Sequence, residues 1–306
     1  MIFFNQNLST LQNISLKFKD YRVIATVFCV IVSNAPIGHV IPFIAILGVL
    51  SVGILHGAND LSLIKKFGFL SSTSQRFVVY ICFVALFAAL LYRIPVFALT
   101  VFVGISAYHF GEQQWQKHIA TQSSKVLAFY FMYGLFLFAT LFYIHTSEVI
   151  RIVYQISGLT MDVYFFEILV SSASVLLMLT ILFTLKHIKT LLVDLLFQTT
   201  VIVFLFGTTD LLVAFAVYFV FWHSWPSLKD QVSVLYGANS SVGTYLKDAW
   251  LYWLLSIVGL VLMYFYNDSL GLDPLALFFA FLAAITFPHV LVIFGLNRLF
   301  KPNTNA

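Results

Sequence analysis

Long apolar runs, broken by short polar stretches, organise the chain from about residue 22 onward. There are ten, at 22–35, 41–60, 77–93, 96–113, 125–144, 163–185, 190–207, 210–228, 247–266 and 274–297. As helices they span, or nearly span, a hydrocarbon core of ~30 Å. The first is short and closes at Asn34-Ala35-Pro36. Between the fifth and sixth, SEVIRIVYQISG (147–158) places Val149, Ile152, Val153 and Ile156 on one helical face, the pattern of a helix lying on the membrane interface. The pattern predicts an all-α, polytopic membrane bundle of about ten transmembrane helices. A leader (1–21) precedes a single membrane domain (22–298), and a short tail (299–306) follows it.

Composition removes the soluble alternative. The 306 residues are 61% hydrophobic and 9% charged, against about 25% charged in soluble domains. The leader lacks a basic region followed by an apolar core, so it does not read as a cleaved signal peptide. Cys29 and Cys82 lie inside apolar runs, where a disulfide framework is not expected.

The net charge of +4 raises the question of nucleic acid, but its distribution has a better explanation. If the N-terminus is cytoplasmic and all ten runs cross, fourteen basic residues fall inside: Lys17, Lys19, Arg22, Lys65, Lys66, Arg76, Lys117, Lys125, Lys186, Lys189, Lys229, Lys247, Arg298 and Lys301. Only Arg93 and Arg151 fall outside. Cytoplasmic loops carry such an excess of lysine and arginine, so the expectation is both termini in the cytoplasm, a multi-pass protein of the cell membrane, and no nucleic-acid partner.

Four of the eight histidines then fall at one depth. His56, His109, His223 and His289 lie on runs two, four, eight and ten, which all run from outside to inside. The next cytoplasmic basic residues are Lys65, Lys117, Lys229 and Arg298. At about 1.5 Å per helical residue, the four imidazoles sit roughly 9–14 Å from that basic belt. A lone membrane histidine is more often an interhelical hydrogen-bonding residue than a ligand. Four at a shared level point instead to one metal site.

The neighbouring residues add carboxylates. Asp60 follows His56 at i+4 and Glu112 follows His109 at i+3, so each pair shares a helix face. Either carboxylate can border the metal or orient a ligand histidine through its second nitrogen. Pro226 follows His223 closely and Pro288 precedes His289, which disturbs both helices near the site. The other histidines, His39, His118, His145 and His187, read as interfacial or solvated.

An all-nitrogen site with nearby carboxylates suits Fe(II), Zn(II) or copper. Its depth in the leaflet favours lipid-soluble substrates and O2, and so an oxygen-dependent enzyme acting on a lipid or polyene. No HxxxH or HxxHH clusters of the desaturase type occur.

The segments LHGANDLSLIKK, ISAYHFGE, VFWHSWPSL and TFPHVLVIFG, in this order, resemble the Brp/Blh family of membrane β-carotene 15,15′-dioxygenases. The resemblance runs from about His56 to Leu296. It implies central cleavage of β-carotene by O2 to two all-trans-retinal molecules, with retinal serving a microbial rhodopsin. It also implies Fe(II) held by His56, His109 and His223, with His289 matching the late proline–histidine motif; on the spacing above, Asp60 and Glu112 are expected to orient these ligands or border the O2 position. One position departs: relatives often carry a second histidine four residues after the equivalent of His223, where this chain has Ser227. Two readings follow, an iron site completed by His289 or a non-catalytic carotenoid- or retinal-binding membrane protein.

Overall fold

The computed structural model describes residues 20–299, apart from 37, 69, 238 and 268–270. The leader as far as residue 19, with Lys17 and Lys19, and the tail from 300, with Lys301, lie outside the described residues. Among the described residues the protein is helical throughout, and each of the ten apolar runs is helical over most of its length.

The helices are α1 (Tyr21–Ser33), α2 (Ile41–Gly48), α3 (Asp60–Lys66), α4 (Thr73–Arg93), α5 (Pro95–Trp115), α6 (Ser124–Ile144), α7 (Thr146–Ser157), α8 (Val163–Ile188), α9 (Leu192–Thr208), α10 (Leu211–Val217), α11 (Trp225–Tyr236), α12 (Val242–Phe265) and α13 (Pro274–Leu299). Capping explains several starts. Asp20, Ser123 and Asp162 accept hydrogen bonds from the backbone N–H groups of Arg22, Val126 and Tyr164, satisfying donors that a helix start leaves open. Gly158, at φ 68°, ends α7 in the left-handed conformation that glycine adopts without strain.

Six stretches are long and apolar enough to cross a membrane, seven if Tyr21–Ser33 and Gly38–Gly53, bent by 116°, form one broken span. Ten crossings are therefore not reached on length and composition alone, for identifiable reasons. Helix α5 carries His109, Glu112, Gln113 and Gln114 in its last turns, which dilutes its apolarity. Runs six and seven form one helical stretch of 46 residues, Val163–Thr208. That is about 69 Å of helix, more than twice a ~30 Å core. It doubles back, because the Phe206 carbonyl returns to His145 at the end of α6, the end from which α7 leads into α8.

Polar contacts separate the two ends of the bundle. At one end Lys117 pairs with Asp230, Lys66 donates to the Val234 carbonyl and Lys229 lies 4.9 Å from the Tyr21 ring. At the other, Arg151 on α7 pairs with Asp273 at 2.5 Å, just before α13. Helix α7 buries Val149 and Ile152, as its amphipathic pattern requires.

Small residues set the closest helix crossing. A Cβ on Gly111 would lie 1.9 Å from the Tyr130 carbonyl oxygen, and one on Gly134 would lie 1.9 Å from that of Ala107. Only glycine at both places lets α5 and α6 approach so closely, as small residues do in membrane interfaces. This crossing fixes the part of α5 that carries His109.

Candidate metal centre

Each of the four histidines is presented by an irregular or crowded piece of helix. A π-helical segment, Val49–Gly53, precedes His56, and the chain leaves the helix over residues 56–59 before α3 begins. A second π-helical segment, Tyr218–Ser224, contains His223. Such insertions are frequent at functional sites because they re-aim side chains within a helix. The two segments touch, and Gly53 makes this possible: a Cβ there would be 2.9 Å from Phe219 Cε1. His289 follows Pro288 inside α13, where proline removes a helical hydrogen bond.

The four rings form a closed circuit. Centroid separations are 4.7 Å for His56–His289, 5.7 Å for His289–His109, 4.8 Å for His109–His223 and 5.2 Å for His223–His56. All four contacts are edge to face, and all four residues are buried. A ring bound through nitrogen at about 2.1 Å puts its centroid about 3.2 Å from the ion, so neighbouring ligands stand about 4.5–5.2 Å apart. Three of the four separations fall within that spacing, and His289–His109, at 5.7 Å, lies beyond it. Among the described residues, no three histidine, cysteine or acidic side chains already stand arranged to hold an ion.

Hydrogen bonding decides which nitrogens are free. His56 Nδ1 lies against the Gly53 carbonyl, which can only accept, so Nδ1 carries the proton and Nε2 the lone pair. His289 Nδ1 lies 2.9 Å from Asp60 Oδ1, with the same consequence for its Nε2. His56 Nε2, His109 Nε2, His289 Nε2 and both nitrogens of His223 are buried without a hydrogen-bond partner. Leaving such a group unsatisfied costs about 1–3 kcal/mol. Histidines used only for packing would not leave five such atoms turned into one small region. The donor set fits a metal ion.

The structure corrects the expected roles of the two carboxylates. Asp60 orients His289, not its helix neighbour His56, and its other oxygen accepts from Tyr80 Oη at 2.8 Å. The break at residues 56–59 separates the two residues that an unbroken helix would have put on one face. Glu112 accepts from Tyr108 Oη at 2.8 Å, one turn before it on α5.

Other supporting residues carry no local sequence signal. Tyr245 Oη on α12 lies 2.9 Å from the His56 carbonyl and 3.0 Å from Gln231 Oε1. Gln231 Nε2 in turn lies 3.3 Å from Ser227 Oγ, so Ser227 belongs to a buried polar chain that reaches the backbone of His56. The His223 ring packs against Phe110, 4.0 Å away, and Phe219, 5.6 Å away, which also contact each other at 6.0 Å.

Of the remaining histidines, His39, His118 and His187 are exposed, as expected. His145 is not: it is buried, with Nε2 3.1 Å from the Phe206 carbonyl. Burial pulls its pKa below the ordinary imidazole value, partly offset by Glu148 and the Phe206 carbonyl.

Two cavities flank the cluster. An apolar one of about 350 Å³ reaches His56 and His289 from the side of α4 and α12. A polar one of about 530 Å³ lies by Trp222, among Asp20, Arg22, Gln113, Lys117 and Asp230.

Fold and site together define a helical membrane protein whose interior gathers four buried imidazoles from separate segments beside an apolar cavity. The chain belongs to the beta-carotene 15,15′-dioxygenase family, whose model matches residues 47–297, a stretch that contains all four histidines, Asp60 and Glu112. No curated protein and no solved structure matches it.

Proposed function

We propose that this protein is a multi-pass oxygenase of the cell membrane that cleaves β-carotene at its central 15,15′ double bond with O2, giving two all-trans-retinal. Fe(II) is the cofactor in this reading, held by His56, His109, His223 and His289. The observation that carries it is the set of unpartnered imidazole nitrogens on four segments, gathered at the end of an apolar cavity. The family's name supplies the substrate and the bond.

The bound iron would supply O2 activation beside the polyene. The chain's own residues position and exclude. The Gly53 carbonyl and the Asp60 carboxylate keep His56 and His289 in the tautomer that presents Nε2 inward. Phe110 and Phe219 pack against the buried His223 ring and give it an apolar surrounding. Dioxygenation needs no general acid or base. Carotenoid and O2 both partition into lipid, which suits a site within the leaflet. The full topology in this reading has ten crossings with both termini cytoplasmic, and its product would serve a retinal-binding rhodopsin.

Ser227 motivates a second reading, a non-catalytic carotenoid- or retinal-binding protein of the same family. Its hydroxyl belongs to the polar chain through Gln231 and Tyr245.

Co-expression with β-carotene biosynthesis, followed by chromatography for retinal, separates the two. Retinal from the wild type is expected, and its loss in His56→Ala. No retinal from stably expressed, iron-supplied protein would overturn the oxygenase reading.

A further inference from the structure

The apolar cavity is lined by stripes of three helices, α4, α12 and α13, and closed by the segment 53–61 with Phe219. Phe77, Ile81 and Val84 on α4 stand opposite Tyr252, Leu255 and Gly259 on α12, and α13 forms the floor that ends at His289. Spacings of three, four and seven along a helix keep such residues on one side. The trough is open to the flank of the bundle, where Ile81 and Leu255 are each 45% exposed. Helix α12 is peripheral, with only 6% of its spanning window buried. The Phe77 and Tyr252 rings meet across one end, 6.2 Å apart.

The lining selects a class of occupant. Among the described residues, no lysine or arginine lines the trough, so a fatty acid carboxylate would have no counter-charge. Most polar groups in it are already engaged: Asp60 with His289 and Tyr80, and the Ser256 hydroxyl with the Tyr252 carbonyl. What remains is an apolar channel that opens to lipid at one side and reaches two imidazoles at the other. A neutral hydrocarbon polyene fits it, and desolvation from lipid costs such a molecule little.

We propose that the trough between α4 and α12 is the lateral entrance by which the carotenoid passes from the bilayer to the histidine cluster, with Gly259 and Val84 setting its width. This rests on the carotenoid reading of the same site. Gly259 is the open point of the α12 wall: a Cβ there would meet only Phe281 Cε2, at 3.9 Å, so a small addition fits and a ring would fill the channel. Val84 narrows the opposite wall.

The test uses Gly259→Phe and Val84→Trp, with Val261→Phe as the control, since Val261 is exposed on α12 and, two residues from Gly259, faces away from the trough. Three quantities are measured: retinal made in β-carotene-producing cells, β-carotene retained by purified, chelator-treated protein, and iron per chain. Both plugging variants are expected to lose at least about ten-fold in retinal and in retained carotene, with iron unchanged and the control like wild type. Plugging variants equal to wild type in both carotene readouts would overturn the entrance and leave the oxygenase reading intact. A wild type that makes no retinal, yet retains carotene in a manner both plugs abolish, upholds the entrance and removes the oxygenase reading. If one variant loses iron through misfolding, the variant on the opposite wall decides.

Discussion

Asp60 Oδ1 and His289 Nδ1 lie 2.9 Å apart in the bundle interior, although 229 residues separate them in the chain. Both side chains are almost fully buried, and Tyr80 Oη holds the other carboxylate oxygen. The result is a Tyr80–Asp60–His289 chain that fixes the ring and leaves Nε2 buried without a partner, beside the rings of His56 and His109. Outer-shell carboxylates of this kind typically contribute 10–100-fold in metal affinity (~1.4–2.7 kcal/mol). Asp60→Asn keeps the shape but removes the charge, and is expected to weaken iron binding by about that factor. Tyr80→Phe is expected to do the same to a smaller degree. Competition with a graded chelator checks both, and iron affinity unchanged in Asp60→Asn would remove the orienting role.

His223 provides a test that works without the substrate. Its two nitrogens are both unpartnered, and its ring packs against Phe110 and Phe219. In metal-free protein that arrangement is a liability of about 1–3 kcal/mol per unsatisfied atom. His223→Phe replaces the ring by one of similar shape with no polar atom. The chelator-treated variant is therefore expected to unfold at a higher temperature than chelator-treated wild type, while its iron content falls to background. A packing histidine would give neither result.

Much of this site was legible in the sequence, and what was not has a physical cause. The expectation that His56, His109, His223 and His289 gather drew on helix rise and charge distribution, both local properties, and the four rings do meet. The partner of Asp60 was not legible. Spacing at i,i+4 assigns it to His56 only if the helix continues, and the turn at 56–59 interrupts it. Tyr80 and Tyr245 act through contacts with distant residues and carry no mark in their own segments. The burial of His145 was missed for the same reason, because its partner is a backbone carbonyl on α9. The count of ten crossings was not reached: six stretches, or seven with the bent pair, are long and apolar enough to cross.

The glycines divide into those that set the scaffold and those that set the site. Gly111→Ala and Gly134→Ala each put a Cβ 1.9 Å from a backbone oxygen, which no rotamer relieves. Separation of α5 and α6 is expected to cost about 3 kcal/mol or more, read as a lower melting temperature in detergent. Gly57→Ala brings its Cβ to 3.3 Å from His289 Nδ1, a contact the ring can relieve by tilting. It is expected to lower iron affinity with little effect on melting. Gly104→Ala, which meets nothing within 4 Å, serves as the neutral control on α5.

Ser227→His introduces the second histidine that the family resemblance led one to expect at this position and so asks whether four imidazoles already complete the centre. Ser227 is buried and 3.3 Å from Gln231 Nε2, whose carbonyl meets Tyr245 beside the backbone of His56. A larger ring there must displace Gln231, an overpacking that typically costs about 1–3 kcal/mol. If His289 is the fourth ligand, the substitution adds no iron and no activity, and the added strain lowers the melting temperature. That is the expected outcome, measured as iron per chain, retinal yield and thermal unfolding on one preparation. A variant that gains iron and begins to form retinal, from a wild type with neither, would instead establish that Ser227 leaves the natural centre incomplete.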